Sequence, residues 1–190
     1  MQNWKRFLYL LAVAVAVFGL VGVARAEVLS VVFLQEKYSL EERWGNDSLW
    51  RNEYTVDVPD PAFQRRVRVW EITQDGLSAQ EAAQYILRMA APQGRFSTWD
   101  LNENEVMLTF FGGEPGDNRA PYVTPAFNAW KIVKSKCGAV AVGFVFAAYS
   151  TLGDAQEDMR RSIVFARTVQ KGQQDWLSDL QHLPVPPVWR

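Results

Sequence analysis

Short alternating runs of apolar and polar residues dominate the chain, and two longer stretches carry helical spacing. Val28 to Leu34 is almost continuously apolar. Arg51 to Val58 alternates, with Tyr54, Val56 and Val58 on one side and Glu53, Thr55 and Asp57 on the other, the period of a half-buried strand. Pro59-Asp60-Pro61 ends it as a turn. Gln64 to Thr73 alternates again, Val67 and Val69 opposite Arg66 and Arg68, and the slip at Trp70 predicts a bulge. Arg95 to Leu101 and Glu105 to Phe111 read as a hairpin around Asn102-Glu103-Asn104. Phe127 to Ser135 and Gly138 to Tyr149 are predicted to pair through the intervening turn. The second of these has no polar face and predicts a central strand covered on both sides. Its large set, Val140, Val142, Phe144 and Phe146, alternates with a mostly small set, Ala141, Gly143, Val145 and Ala147. The small set predicts a helix lying close against the sheet.

Ala79, Ala82, Ala83, Ile86, Met89 and Ala90 recur at helical spacing and predict a helix over Ala79 to Ala91. Ser78 and Glu81 form a capping box before it, and Pro92 and Gly94 stop it. Its alanine-rich face is the candidate for close contact. A second helix is predicted over Asp154 to Val169. Asp154, Glu157 and Asp158 suit the positive end of its dipole, and Glu157 and Arg161 form an i,i+4 pair. Met159, Ile163 and Ala166 are expected to cover sheet. Gly172 is expected to break this helix, leaving Gln174 to Gln181 as a short third one. Pro184, Pro186 and Pro187 then force an extended tail.

Seven strands and two main helices in this order make an α+β domain. The expectation is a mostly antiparallel twisted sheet of about six to seven strands, packed with two main helices that cover one face. The element order over most of Tyr54 to Val169 resembles the PsbP-like α-β-α sandwiches, which include bacterial exported proteins and chaperone-like binding modules. That resemblance lies in element order and carries no functional residue with it.

The first 26 residues change the picture of where the chain works. Lys5 and Arg6 precede an apolar run from Phe7 to Phe18, and Ala24-Arg25-Ala26 offers small residues at the positions a signal peptidase reads. This is the order of a secretory signal peptide cut before Glu27, which implies a periplasmic or secreted protein. Phe7 to Ala24 is also long enough to serve as an uncleaved anchor. The expected division is residues 1–26 signal peptide, 27–181 α+β domain and 182–190 Pro-rich extended tail. Loss of Lys5, Arg6 and Arg25 takes the net charge from -1 to -4. That balance suggests neither nucleic acid nor an anionic membrane surface, with the membrane a partner only if the leader stays.

One cysteine, Cys137, excludes an internal disulfide; at a strand turn it reads as a small buried hydrophobe, with intermolecular pairing or a reactive thiol as the alternative. One histidine, His182, excludes a His-rich metal site, and any Ser-His-Asp or Cys-His site would have to use it. The Gly112–Asn118 loop lacks the G-K-[ST] of a phosphate cradle and reads instead as the rim of a binding site. Acidic clusters at Glu41-Glu42, Asp57/Asp60 and Asp154/Glu157/Asp158 show no spacing that faces two carboxylates across a cleft. Arg65, Arg66 and Arg68 with Lys131, Lys134 and Lys136 read either as a basic stripe or as a solvated strand face. Trp70, Trp99 and Trp130 read as core. Trp44 and Trp50, beside Gly45-Asn46-Asp47, are the tryptophans left for binding.

The reading that collects these points is an exported, non-catalytic binding or interaction protein of the cell envelope, with no cofactor, no metal and an unknown protein or small-molecule ligand. Its candidate ligand-binding residues are Trp44, Trp50, Gly112, Gly113 and Tyr122. Two alternatives stand beside it: a secreted hydrolase with an unidentified acid/base pair, and a membrane-anchored accessory subunit of an envelope complex.

Overall fold

Eight strands form one antiparallel sheet in the computed structural model, which describes residues 30–90, 96–114, 124–149 and 154–186. The leader and its cleavage point, Tyr122 and the last four residues of the tail lie outside these. The strands are β1 (Ser30–Phe33), β2 (Glu36–Gly45), β3 (Leu49–Val56), β4 (Phe63–Thr73), β5 (Phe96–Asn102), β6 (Glu105–Glu114), β7 (Thr124–Ser135) and β8 (Gly138–Ala148). Helix α1 (Ala79–Ala90) follows β4, and α2 (Ala155–His182) follows β8. The spatial order is β1-β2-β3-β4-β8-β7-β6-β5, two four-stranded meanders joined where β4 meets β8.

β2 is the strand beyond the expected six to seven. Its hairpin with β1 turns through Leu34 and Gln35, both at positive φ (53° and 61°). A two-residue hairpin turn of this kind usually announces itself with Asn-Gly or Asp-Gly, and here it does not.

β4 runs without interruption against both β3 and β8, so the bulge expected at Trp70 is absent. The apparent slip has another cause: the even positions Trp70 and Ile72 are as buried as the odd positions Val67 and Val69, because both sides of β4 are covered. The register shifts fall instead between Leu40 and Glu42 in β2 and between Asp100 and Asn102 in β5.

The helices occupy opposite faces, not one. On the α2 face, Val142, Phe144 and Phe146 of β8 cluster with Val67, Val69, Phe127, Tyr54 and the helix residues Phe165, Val169 and Leu180. The N-terminal strands curl over this core. Phe33 of β1 reaches Phe144 of β8, ring centroids 5.0 Å apart, although β2, β3 and β4 stand between them in the sheet. On the α1 face, Ala139 and Ala141 of β8 meet Ala79, Ala82, Ala83, Ile86 and Leu87. The small side of β8 thus receives the alanine-rich helix. The capping box closes as written: the Ser78 amide donates to Glu81 Oε2 (2.8 Å), and the Glu81 amide donates to Ser78 Oγ (3.1 Å).

α2 is one helix of 28 residues, so Gly172 does not break it. A side chain there has no room, since a Cβ would sit 2.7 Å from the Trp176 ring. Trp176 packs on Phe127, Phe144 and Phe146. That aromatic burial outweighs the roughly 1 kcal/mol that glycine costs inside a helix. Its packing also sets the helix's phase. Phe165, Val169 and Leu180 face the sheet, while Met159, Ile163 and Ala166, expected to cover it, are exposed. The helix runs through His182, and the extended tail begins at Leu183.

Candidate binding cleft

A cleft of about 230 Å³ opens on the α1 face, between the curled β2–β4 strands and the C-terminal end of α1. Strand parity builds it. Arg51 and Glu53 are alternate positions of β3, and Arg68 and Trp70 are alternate positions of β4, so all four project to this side. The bulge in β2 decides which of its residues face the cleft. Before it, Tyr38 and Leu40 pair with Val56 and Tyr54 on the α2 face; after it, Glu42 and Trp44 pair with Glu53 and Arg51 on the α1 face.

The floor is a stacked row. The Arg51 guanidinium carbon lies 4.3 Å from the Trp44 ring centroid and 4.1 Å from that of Trp70. Trp70 in turn meets Trp130 of β7 edge-on, centroids 4.9 Å apart. Trp70 and Trp130 come from strands that flank β8, and the small residues of β8 let them meet above it. A Cβ on Gly143 would stand 2.5 Å from the Trp130 ring. Each guanidinium–indole contact is worth about 0.5–2 kcal/mol, more as water is excluded. Burial lowers the Arg51 pKa from its ordinary value; Tyr85 opposes this and Arg68 adds to it.

Glu53 is held by two cations: Arg66 donates through Nη1, and Arg68 through Nε at 2.7 Å. Phe110, Gly112 and Asn128 form the wall toward β6 and β7, and Met89 and Ala90 close it from α1. Met89, expected on the buried face of α1, is instead exposed over the cleft. Trp130 is only 1% exposed, yet its indole N–H has no hydrogen-bond partner among the described residues. A donor buried beside a cleft without an acceptor costs about 1–3 kcal/mol.

Of the residues singled out by sequence, Trp44 and Gly112 line this cleft. Trp50 does not: it is a neighbour of Arg51 along β3 and faces the other way. Gly113 lies in β6 opposite Pro125, so Gly112 to Glu114 are strand where a loop was expected. Tyr122 lies outside the described residues. Sequence reasoning missed Arg51, Arg68, Phe110 and Met89 as lining residues, and assigned Trp70 and Trp130 to the core alone. The signal was there at period two, in Arg51 and Glu53 on one strand and Arg66, Arg68 and Trp70 on the next.

The basic stripe does not form. Arg65 projects to the α2 face and pairs with Glu36, while Arg66 and Arg68 take Glu53. Lys131, also on the α2 face, donates its ammonium to the carbonyls of Gln181 (2.8 Å) and Leu183 (3.3 Å) at the end of α2. Two acidic clusters serve local structure. Asp57 accepts from Ser39 Oγ, which with Lys37 lowers its pKa, and Asp60 accepts from the Ala62 and Phe63 amides. Asp154 caps α2, accepting from the Gln156 and Glu157 amides. His182 Nδ1 lies 2.7 Å from the Ser178 carbonyl oxygen one turn back. Cys137 is exposed, which corrects the reading of a buried hydrophobe: the two-residue hairpin turn points it outward.

Among the described residues no group of three or more His, Cys, Asp or Glu is placed to hold a metal ion, and no helix is long and apolar enough to cross a membrane. A scan against protein-family models and a search of curated proteins found no match to this chain.

Proposed function

We propose that this is an exported, non-catalytic binding protein of the cell envelope, and that its ligand lodges in the cleft on the α1 face. The observation that carries this reading is the Trp44–Arg51–Trp70 stack beside a buried Trp130 whose indole N–H lacks an acceptor among the described residues. Binding sites commonly combine aromatic walls with a few directional polar groups. A ligand with a flat or apolar body and one hydrogen-bond acceptor fits both features. The volume restricts it to a small molecule or a single side chain of a partner. The signal-like leader supports export, and one helix on each face of an antiparallel sheet supports the PsbP-like resemblance.

The hydrolase alternative asks for two carboxylates with separate roles facing one another. Glu53 is engaged by two guanidiniums, and Glu42 stands exposed at the rim. Neither arrangement favours proton transfer.

Nuclear magnetic resonance of the 15N-labelled processed protein tests the reading. Titration with indole, benzoate and benzamide should move the Trp130 indole N–H and Arg51 signals, and Trp70→Ala should abolish the effect. Shifts confined to other parts of the molecule would remove the cleft from consideration. Hydrolysis of a nitrophenyl ester or glycoside that disappears in Glu53→Gln would install the hydrolase instead.

A further inference from the structure

The formal net charge of -1 conceals a local asymmetry on α2. The first half of this helix is anchored by Phe165, stacked on Phe146, and by Val169. The side turned away from the sheet is neither polar nor neutral. Met159, Ile163 and Val164 are 68%, 46% and 48% exposed. Arg160, Arg167 and Lys171 alternate with them. Positions 160, 163/164, 167 and 171 follow i, i+3/i+4, i+7 and i+11, so they lie along one ridge. Two acids flank this ridge: Glu157 is taken up by Arg161 (3.2 Å) and more loosely by Arg160 (3.9 Å), and Asp175 stands one turn beyond Lys171. Arg167 and Lys171 make no ion pair among the described residues.

We infer that this ridge of α2 docks the protein on an anionic lipid surface. The geometry favours lipid over a protein groove in two ways. The ridge is convex, with apolar side chains set between cations whose long stems let their charges reach phosphate while the apolar groups enter the headgroup boundary. The signal-like leader, moreover, would take the chain to a membrane and, if retained, hold it there. The inference stands apart from the cleft, which lies on the opposite face of the sheet, and it places that cleft on the side turned away from the bilayer.

Co-sedimentation of the processed protein with phosphatidylcholine vesicles, with and without phosphatidylglycerol, tests it. Binding should require phosphatidylglycerol and weaken as salt rises. A triple variant, Arg160→Gln with Arg167→Gln and Lys171→Gln, should lose at least about tenfold in affinity, since each cation near such a surface is worth about fivefold. Ile163→Ser with Val164→Ser should weaken binding several-fold and leave the salt response in place. All these side chains are exposed, so unchanged thermal melts are expected to separate docking from folding. No sedimentation with phosphatidylglycerol, or binding that both variants leave intact, would overturn the proposal. So would a solution dimer that Ile163→Ser with Val164→Ser dissolves, which would assign the ridge to self-association.

Discussion

The two faces of the sheet are built from one strand and solve opposite problems. β8 sends Val142, Phe144 and Phe146 to the α2 face, where aromatic rings interlock with Phe165 and Trp176. To the α1 face it sends Ala139, Ala141 and Gly143. One face gains stability by filling volume. The other gives volume up, and the space goes to an alanine-rich helix at one end and to two inclined tryptophans beside a cleft at the other. The cleft is what this under-filling leaves, and its walls are held by stacking rather than by depth.

If that contrast is right, Phe144→Ala should be the most damaging change, by about 3–5 kcal/mol in a thermal or denaturant melt. Typical total stability is ~5–15 kcal/mol, so a melt like the wild type would mean the α2 face is not the main core. Gly143→Leu attacks the other face by overfilling. It should cost about 1–3 kcal/mol and also displace Trp130, altering tryptophan fluorescence even where the protein remains folded. An unmoved spectrum would break the link between the small side of β8 and the cleft. Lys131→Met keeps the apolar stem but frees the end of α2. A loss of about 1–2 kcal/mol is expected, with faster amide exchange confined to residues near Gln181.

The start of α1 offers a finer probe. Ser78→Ala should cost about 1 kcal/mol. The Ser78 amide and hydroxyl lower the Glu81 pKa, so its contribution is present above the ordinary carboxylate range and is lost as pH falls through the depressed folded value. Melts of Glu81→Gln across acid pH should lose less stability on acidification than the wild type. Cys137→Ala, at a turn belonging to neither face, should change stability by less than ~0.5 kcal/mol, and the wild-type thiol should react readily with a labelling reagent.

What could be read from sequence follows physical lines. The α+β class, the capped α1 and the two-sided β8 depend on local periodicity, which a short window contains. β2 escaped because its pattern, E-K-Y-S-L-E-E-R-W-G, mixes charge into both sides and its turn lacks glycine. The continuity of α2 past Gly172 depended on Trp176 meeting three phenylalanines from β7 and β8, contacts that are distant in sequence. The site was legible only in fragments. Trp44 and Gly112 stood out as residues, but Arg51 between two indoles is a three-strand arrangement. Strand order and side had to be known before those residues formed one site.

The bulge between Leu40 and Glu42 has an evolutionary consequence. The extra residue, Glu41, lets Tyr38 and Leu40 serve one face and Glu42 and Trp44 the other, although all four are spaced two apart. Deleting Glu41 would leave Leu40 opposite Tyr54 and Trp44 opposite Arg51, with regular alternation between them, so the stack on Arg51 would survive. Among descendants of this fold, chain length at this point is therefore free to change by one residue without loss of the cleft, and the spacing between Tyr38 and Trp44 is no marker of it.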